Sequence, residues 1–138
     1  MGSIRKQIEV DAAPDDVWEA VRDFGALHDR LVRGFVTDTQ LDGNDRIVTF
    51  ANGLVQREPL VALDDESRRL VYSATDSLLG ATHYNAAVEV SSGPNDGSTI
   101  CWVIDFLPDE IAGSLDMAME RGAEAMRTTL GSSSPSGA

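Results

Sequence analysis

The last long segment of the chain has the periodicity of an amphipathic helix. Between residues 109 and 130, apolar or small side chains recur at steps of three or four and form one stripe: Ile111, Leu115, Met119, Gly122, Met126 and Leu130. Pro108 precedes the segment, and Asp109 and Glu110 place negative charge where a helix N-terminus favours it. Such a helix would be roughly 30 Å long. Its stripe fits two interpretations: an ordinary core helix with methionine as gap filler, or a helix that crosses a sheet without filling the space beneath.

The start of the chain predicts one strand and two helices. Apolar and polar side chains alternate over residues 4–10, which indicates a strand. Segment 11–24 is typical of a helix, because Pro14 suits the first helical position and the apolar side chains share one face. Gly25 ends this helix, and residues 26–32 predict a second, shorter one.

Beyond residue 34, apolar side chains recur at every second position or in short runs, as is typical of strands. Six strands are predicted at 35–41, 46–51, 54–63, 69–75, 82–91 and 99–107, separated by segments rich in turn-forming residues. Asn52-Gly53 is a strong signal for a tight hairpin. This order of elements predicts an α+β fold: one strand, two helices, six strands and a long helix. In such a fold we expect a seven-stranded antiparallel sheet wrapped around the final helix. We expect one domain over residues 1–130 and a disordered tail over 131–138.

Composition narrows the possible functions. The chain has 138 residues, 42% of them hydrophobic, which is enough for one folded domain with a core. Its net charge of −12 argues against nucleic acid or a membrane surface as partner. Cys101 is the single cysteine, and Cys/His metal-ligand spacing is absent, so we expect a reducing, cytoplasmic setting and no metal or cofactor. No apolar stretch is long enough for a membrane span or a signal peptide.

Several segments together resemble a known superfamily. They are VDAAPDDVWEAVRDFGAL, NGLVQREPLVALDDESRRLVYS, THYNAAVEV, ICWVIDFLPD and the closing helix, and the run from Glu58 to Tyr72 is the most specific part. The chain is similar, over about residues 3–130, to the START-like, Bet v 1-like (SRPBCC) superfamily and its bacterial polyketide cyclase/dehydrase and lipid-transport group. The resemblance implies a helix-grip fold with a cavity for an apolar small molecule. The superfamily includes cyclases, hormone receptors and lipid carriers, so its fold does not decide the function.

One segment departs from the family pattern. Many relatives carry a Trp-His-Pro-like cluster after the second helix, where this chain has His28-Asp29-Arg30-Leu31-Val32. Contacts at that rim of the cavity are therefore not carried over.

Strand alternation, supported by the resemblance, predicts which side chains face the final helix. Candidate ligand-binding residues on the strands are Phe35, Thr37, Val48, Phe50, Gln56, Glu58, Tyr72, Ala74, Thr82, Tyr84, Ala86, Trp102 and Ile104. Leu54 is expected to share this inward face, and Leu115, Met119 and Met126 face it from the helix. The register of the last strand stays open, because a slip by one residue would turn Cys101, Val103 and Asp105 inward instead.

The polar members of this set are the candidates for chemistry. Glu58 facing an apolar interior suits a general acid or base, whereas the alternative is a structural ion pair with Arg46 on the adjacent strand. Tyr72 and Tyr84 are candidate catalytic hydrogen-bond donors, or plain wall aromatics. By resemblance, Asp76, Leu78 and Leu79 lie at the cavity mouth, where the leucines would form a lid and Asp76 would bind ligand or cap the turn.

Three functions remain open at this point. The first is a carrier or sensor that binds a small hydrophobic or polyketide-like molecule. The second is a cyclase or dehydratase in which Glu58 takes a proton next to a carbonyl and Tyr72 or Tyr84 stabilises the enolate, so that Glu58→Gln would abolish activity and leave folding intact. The third is a ligand-gated interaction module. The pattern does not distinguish a monomer from a homodimer.

Overall fold

The computed structural model describes residues 2–75 and 79–131, and its elements follow the predicted order. The strands and helices are β1 (Gly2–Val10), α1 (Pro14–Arg22), α2 (Leu27–Arg30), β2 (Val36–Asp42), β3 (Asp45–Phe50), β4 (Val55–Asp64), β5 (Arg69–Ser73), β6 (His83–Ser92), β7 (Ser98–Leu107) and α3 (Ala112–Leu130). Single 3-10 turns at Phe24–Ala26 and Asp109–Ile111 lead into α2 and α3. The predicted lid residue Leu78, Asp76 and most of the predicted tail lie outside the described residues.

The seven strands form one antiparallel sheet, which confirms the predicted fold class. Their order is β1-β7-β6-β5-β4-β3-β2, so β2 to β7 run as a meander and β1 joins at the far edge, beside β7. The tight turn between β3 and β4 forms at the predicted dipeptide: Gly53 has a φ of +87°, and its backbone N–H donates to the carbonyl of Phe50 at 2.8 Å. Glycine adopts this left-handed conformation without the steric cost of a β-carbon.

The register of β7, left open by its two apolar faces, is resolved. Ile100, Trp102, Ile104 and Phe106 are buried, while Cys101, Val103 and Asp105 on the opposite face remain partly accessible. Pairing with β1 places Ile100 opposite Ile8 and Ile104 opposite Ile4, so the apolar side chains of the two strands share one face. The first of the two registers considered is therefore the correct one.

Helix α3 lies across this apolar face with the predicted stripe inward. Leu115, Met119 and Met126 are buried. Gly122 permits a close approach, because a β-carbon there would lie 2.9 Å from the Trp102 indole. The helix therefore contacts the Trp102 side chain of β7 at Gly122.

Candidate functional site

A cavity of about 470 Å³ lies beneath α3. Binding sites for small molecules usually have volumes of about 300–1,000 Å³. Most of its wall is apolar: Val21, Leu27, Leu31, Val32, Phe35, Val36, Val48, Phe50, Ala51, Leu54, Leu70, Leu79, Val88, Trp102, Ile104, Leu115, Met117, Ala118, Met119 and Met126. The polar part consists of Arg46, Asn52, Gln56, Glu58, Tyr72, Tyr84, Ser114 and Arg121. Of the two interpretations of the helical stripe, the one that leaves space beneath the helix is correct.

Most of the residues proposed from the sequence surround this space. Those that line it are Phe35, Val48, Phe50, Gln56, Glu58, Tyr72, Leu79, Tyr84, Trp102, Ile104, Leu115, Met119 and Met126. They come from β3 to β7, from α3 and from the segments between elements, so the fold brings together side chains distant in sequence. Their contact with a ligand stays a prediction.

Two predicted residues of the early strands do not face the cavity as expected. The pairing of β2 with β3 shifts between Val36 and Asp38, and this bulge turns Val36 inward and Thr37 outward. Thr37 is exposed and donates through its hydroxyl to the carbonyl of Thr49. Leu54 precedes the first residue of β4 and is 50% exposed, so it reaches the cavity only at its rim.

Three further predicted residues lie elsewhere for local reasons. Strand β5 ends at Ser73 and β6 begins at His83, so strand alternation does not extend to Ala74 or Thr82, and neither lines the cavity. Ala86 does face inward, but it is fully buried in the packed core, with Tyr72 and Ile104 as its cross-strand partners. These three residues therefore do not line the cavity.

The deep polar group of the cavity is a buried ion pair. The antiparallel register of β3 and β4 places Arg46 directly opposite Glu58, and Arg46 Nε donates to Glu58 Oε1 at 2.8 Å. Gln56, two residues before Glu58 on the same face of β4, donates from Nε2 to the second carboxylate oxygen at 2.7 Å. Arg46 and Glu58 are each only 4% exposed. The alternative in which Glu58 pairs with Arg46 is therefore confirmed, and both carboxylate oxygens accept a hydrogen bond.

Two aromatic rings hold the Arg46 guanidinium. Its central carbon lies 4.1 Å from the ring centroid of Phe24 and 4.8 Å from that of Tyr72. Cation–π contacts are favourable when the cation is removed from water, as it is here. Arg46 therefore links the 3-10 turn after α1 to the centre of the sheet, while its charge is balanced by Glu58.

The two tyrosines complete the polar part of the wall. Trp102 Nε1 donates to the hydroxyl of Tyr72 at 3.2 Å, and the hydroxyl of Tyr84 lies within hydrogen-bonding reach of the Tyr72 and Gln56 side chains. Burial raises the pKa of both tyrosines far above the usual value of 10, and the nearby Glu58 carboxylate raises each pKa further. Both hydroxyls therefore keep their protons at physiological pH and are able to donate hydrogen bonds.

These pKa shifts predict an unusual alkaline titration. The chain contains two tyrosines, both in this wall, so tyrosinate absorbance reports on this site alone. We expect little ionisation at pH 10, because the pKa in the folded state lies above that in the unfolded state. The associated stabilisation is present below about pH 10 and is lost as the pH rises through the folded-state value, so ionisation should accompany unfolding.

Ultraviolet absorbance and circular dichroism, recorded together against pH, test this expectation. A control titration in concentrated denaturant should show both tyrosines ionising near pH 10. Tyrosinate absorbance that appears near pH 10 while the circular dichroism spectrum is unchanged would show that the hydroxyls are accessible to water.

Several residues that line the cavity were not predicted from the sequence. Leu27 is the first residue of α2, and Leu31 and Val32 lie just after this helix, in the segment that departs from the family pattern. The three residues form one side of the wall. Ser114, Met117, Ala118 and Arg121 lie on α3 beside the predicted stripe. Their spacing of three or four residues was an available signal, because a helix above a hollow also turns the flank of its apolar stripe toward that hollow.

Comparison with known proteins gives a family and a fold. The model of the family described as polyketide cyclase / dehydrase and lipid transport matches residues 1–132. Protein XoxI from Bacillus cereus is 22% identical with a TM-score of 0.84, and the alignment covers 94% of this chain and 96% of that chain. A START superfamily protein from Mycobacterium smegmatis is 12% identical with a TM-score of 0.74, covering 93% and 96%.

A plant enzyme shares the fold as well. Truncated norcoclaurine synthase from Thalictrum flavum is 20% identical with a TM-score of 0.70, and the alignment covers 94% of each chain. At these identities, all three structures show the fold alone. No significant match was found among curated proteins.

Two further observations concern the part of the chain that the structure describes. In residues 2–75 and 79–131, His, Cys, Asp and Glu side chains form no group of three or more that could hold a metal ion. No helix of these residues has the length and apolar character needed to cross a membrane.

Proposed function

The chain belongs to the polyketide cyclase/dehydrase and lipid-transport family, and from this premise we propose that its cavity binds a small hydrophobic molecule as a carrier or sensor would. The observation that carries the proposal is the cavity of about 470 Å³ between α3 and the sheet, with its predominantly apolar wall. Transfer of an apolar molecule from water into such a space is favourable by about 25 cal/mol per Å² of buried apolar surface. In this proposal, the Tyr84 hydroxyl and the Gln56 amide would orient a polar group of that molecule.

Fluorescence tests this proposal, because Trp102 lines the cavity. In a Trp18→Phe variant Trp102 is the only tryptophan left. We expect a neutral apolar dye, N-phenylnaphthylamine, to bind with enhanced emission and to quench Trp102 by energy transfer. Native mass spectrometry of protein purified from its own host should then give the mass of the natural ligand. Absence of dye binding and of any copurified molecule would contradict the proposed function.

A cyclase or dehydratase is the second candidate, and Glu58 favours it. Among the cavity-lining residues that the structure describes, Glu58 is the one carboxylate. In such a reaction, Glu58 would take a proton from the carbon next to a substrate carbonyl, and the C–H electron pair would form the enolate. Tyr72 or Tyr84 would donate a hydrogen bond to the enolate oxygen. A norcoclaurine synthase structure holds a transition-state analogue, so this fold serves an enzyme in that protein.

The resting geometry favours binding over this reaction. Both oxygens of Glu58 already accept hydrogen bonds, one from Arg46 and one from Gln56. Proton abstraction would require Gln56 to release its oxygen, whereas binding requires no rearrangement of the pair. We therefore place the carrier or sensor first and the enzyme second.

A further inference from the structure

The cavity opens to solvent at one end of its wall. The exposed lining residues come from two places: Ala51, Asn52 and Leu54 in the turn between β3 and β4, and Ser114, Met117 and Arg121 on α3. Met117 is 59% exposed although it is apolar, as expected for a side chain at a mouth that an apolar molecule enters. Among the described residues of this mouth, Arg121 is the charged one.

The carboxylates of α3 nearest to Arg121 in sequence are paired with other cations. Lys6 binds both Asp116 and Glu120 at 2.7 Å, and Arg127 binds Glu124 at 3.2 Å. Within the described residues, Arg121 has neither an ion pair nor a hydrogen bond. Seven other arginines of this acidic chain, at positions 22, 30, 33, 46, 57, 68 and 127, each contact a carboxylate.

Of the charged side chains in the described cavity wall, one cation has no anionic partner within that wall. The charged residues of its described wall are Arg46, Glu58 and Arg121. The first two neutralise each other at the deep end, where Arg46 Nε lies 2.8 Å from Glu58 Oε1. Arg121 thus gives the mouth a positive charge in a protein whose net charge is −12.

From this arrangement we infer that the cavity takes an amphipathic carboxylate, with its apolar part inside and its carboxylate on Arg121 at the mouth. The planar guanidinium matches a carboxylate with two parallel hydrogen bonds. A single negative charge fits better than a phosphate dianion, because one guanidinium balances one charge and the second would remain unbalanced in a protein whose net charge is −12. The inference rests on the proposed function and adds the chemical class of the ligand.

Two probes with the same apolar chain test the inference. Decanoate and decanol are titrated as competitors of N-phenylnaphthylamine, and only decanoate carries a negative charge. We expect Arg121→Gln to weaken decanoate binding by about three- to fivefold at low salt, as for an exposed ion pair, and to leave decanol binding unchanged. Arg121→Lys should retain part of the preference. Added salt should weaken decanoate binding to the wild type and have little effect on the glutamine variant.

Arg5→Gln is the matched control. Arg5 is exposed on β1, does not line the cavity and has no ion pair within the described residues, so its loss removes one positive charge without changing the mouth. An Arg121→Gln variant that binds decanoate as the wild type does, or that loses decanol equally, would overturn this inference and leave the proposed function standing. A wild type that binds neither the dye nor either competitor would overturn both.

Discussion

Replacing Glu58 by glutamine is expected to lower the free energy of unfolding by about 3–5 kcal/mol, since it leaves the buried Arg46 charge without its partner. Arg46 is 4% exposed and cannot reach water without disturbing the rings of Phe24 and Tyr72 that enclose it. The loss would be a large fraction of the total stability of a domain, which is about 5–15 kcal/mol. Urea denaturation of the wild type and the variant measures it. This expectation replaces the one made from strand alternation alone, by which the variant would fold normally.

The same hairpin supplies a matched control. Asp45 of β3 accepts a hydrogen bond from Arg57 of β4 at 2.7 Å, but this pair is partly exposed. Asp45→Asn should cost less than about 1 kcal/mol, because water solvates the arginine that is left. Replacing Arg46 and Glu58 together by apolar residues of similar size should cost much less than the single change, because neither charge then remains. Equal losses in Glu58→Gln and Asp45→Asn would show that the buried pair contributes no more than an exposed one.

The glutamine variant also bears on the enzymatic alternative, provided that activity is assayed where circular dichroism shows it folded. If Glu58 is a general base, turnover falls by orders of magnitude while affinity for an apolar dye persists. If Glu58 only holds Arg46 in place, any turnover survives in the folded fraction. These readouts separate the chemical role of Glu58 from its structural role.

The arrangement of strands and helices could be predicted from the sequence, because the spacing of apolar residues differs between strands and helices. The alternation of β1 and the stripe of α3 are local patterns, and a seven-stranded sheet with a covering helix is the arrangement that buries both. Predictions fail where a local feature interrupts the period. The bulge at Val36–Asp38 turns Thr37 outward, and Ala74 and Thr82 lie beyond the ends of their strands. Neither feature has a signature in the alternation itself.

The sequence predicts which residues line the cavity better than it predicts the partners of the charged ones. Strand alternation predicts that the Glu58 side chain faces the interior. Its charge, however, is neutralised by Arg46 of the neighbouring strand, and this pairing depends on the register of β3 against β4. Within the described residues, the unpaired state of Arg121 likewise depends on Lys6 of β1, which reaches Asp116 and Glu120 on α3 across space. A pattern of residue types predicts which faces meet, whereas the partner of each charge is a property of the folded chain.

Replacing Ala118 by tryptophan is expected to weaken binding of N-phenylnaphthylamine by more than about tenfold, with a change of less than about 1 kcal/mol in the free energy of unfolding. Ala118 lines the cavity from α3, so an indole at this position would occupy space that the dye needs. Because the added side chain enters a hollow and not a packed core, it requires little rearrangement of its neighbours. Dye titration and urea denaturation of the same preparation measure the two effects.

Ala123 on the same helix provides the contrast that makes this result informative. It is 1% exposed and belongs to the packed core, outside the cavity wall. Overpacking of a filled core forces side chains and backbone to move, so Ala123→Trp should cost more than about 3 kcal/mol or prevent folding. Ala62→Trp, at an exposed position of β4, should change neither property. If Ala118→Trp is as destabilising as Ala123→Trp, the space beneath α3 is filled in solution and cannot hold a ligand. A stable Ala118→Trp variant without dye binding would place the ligand in that space.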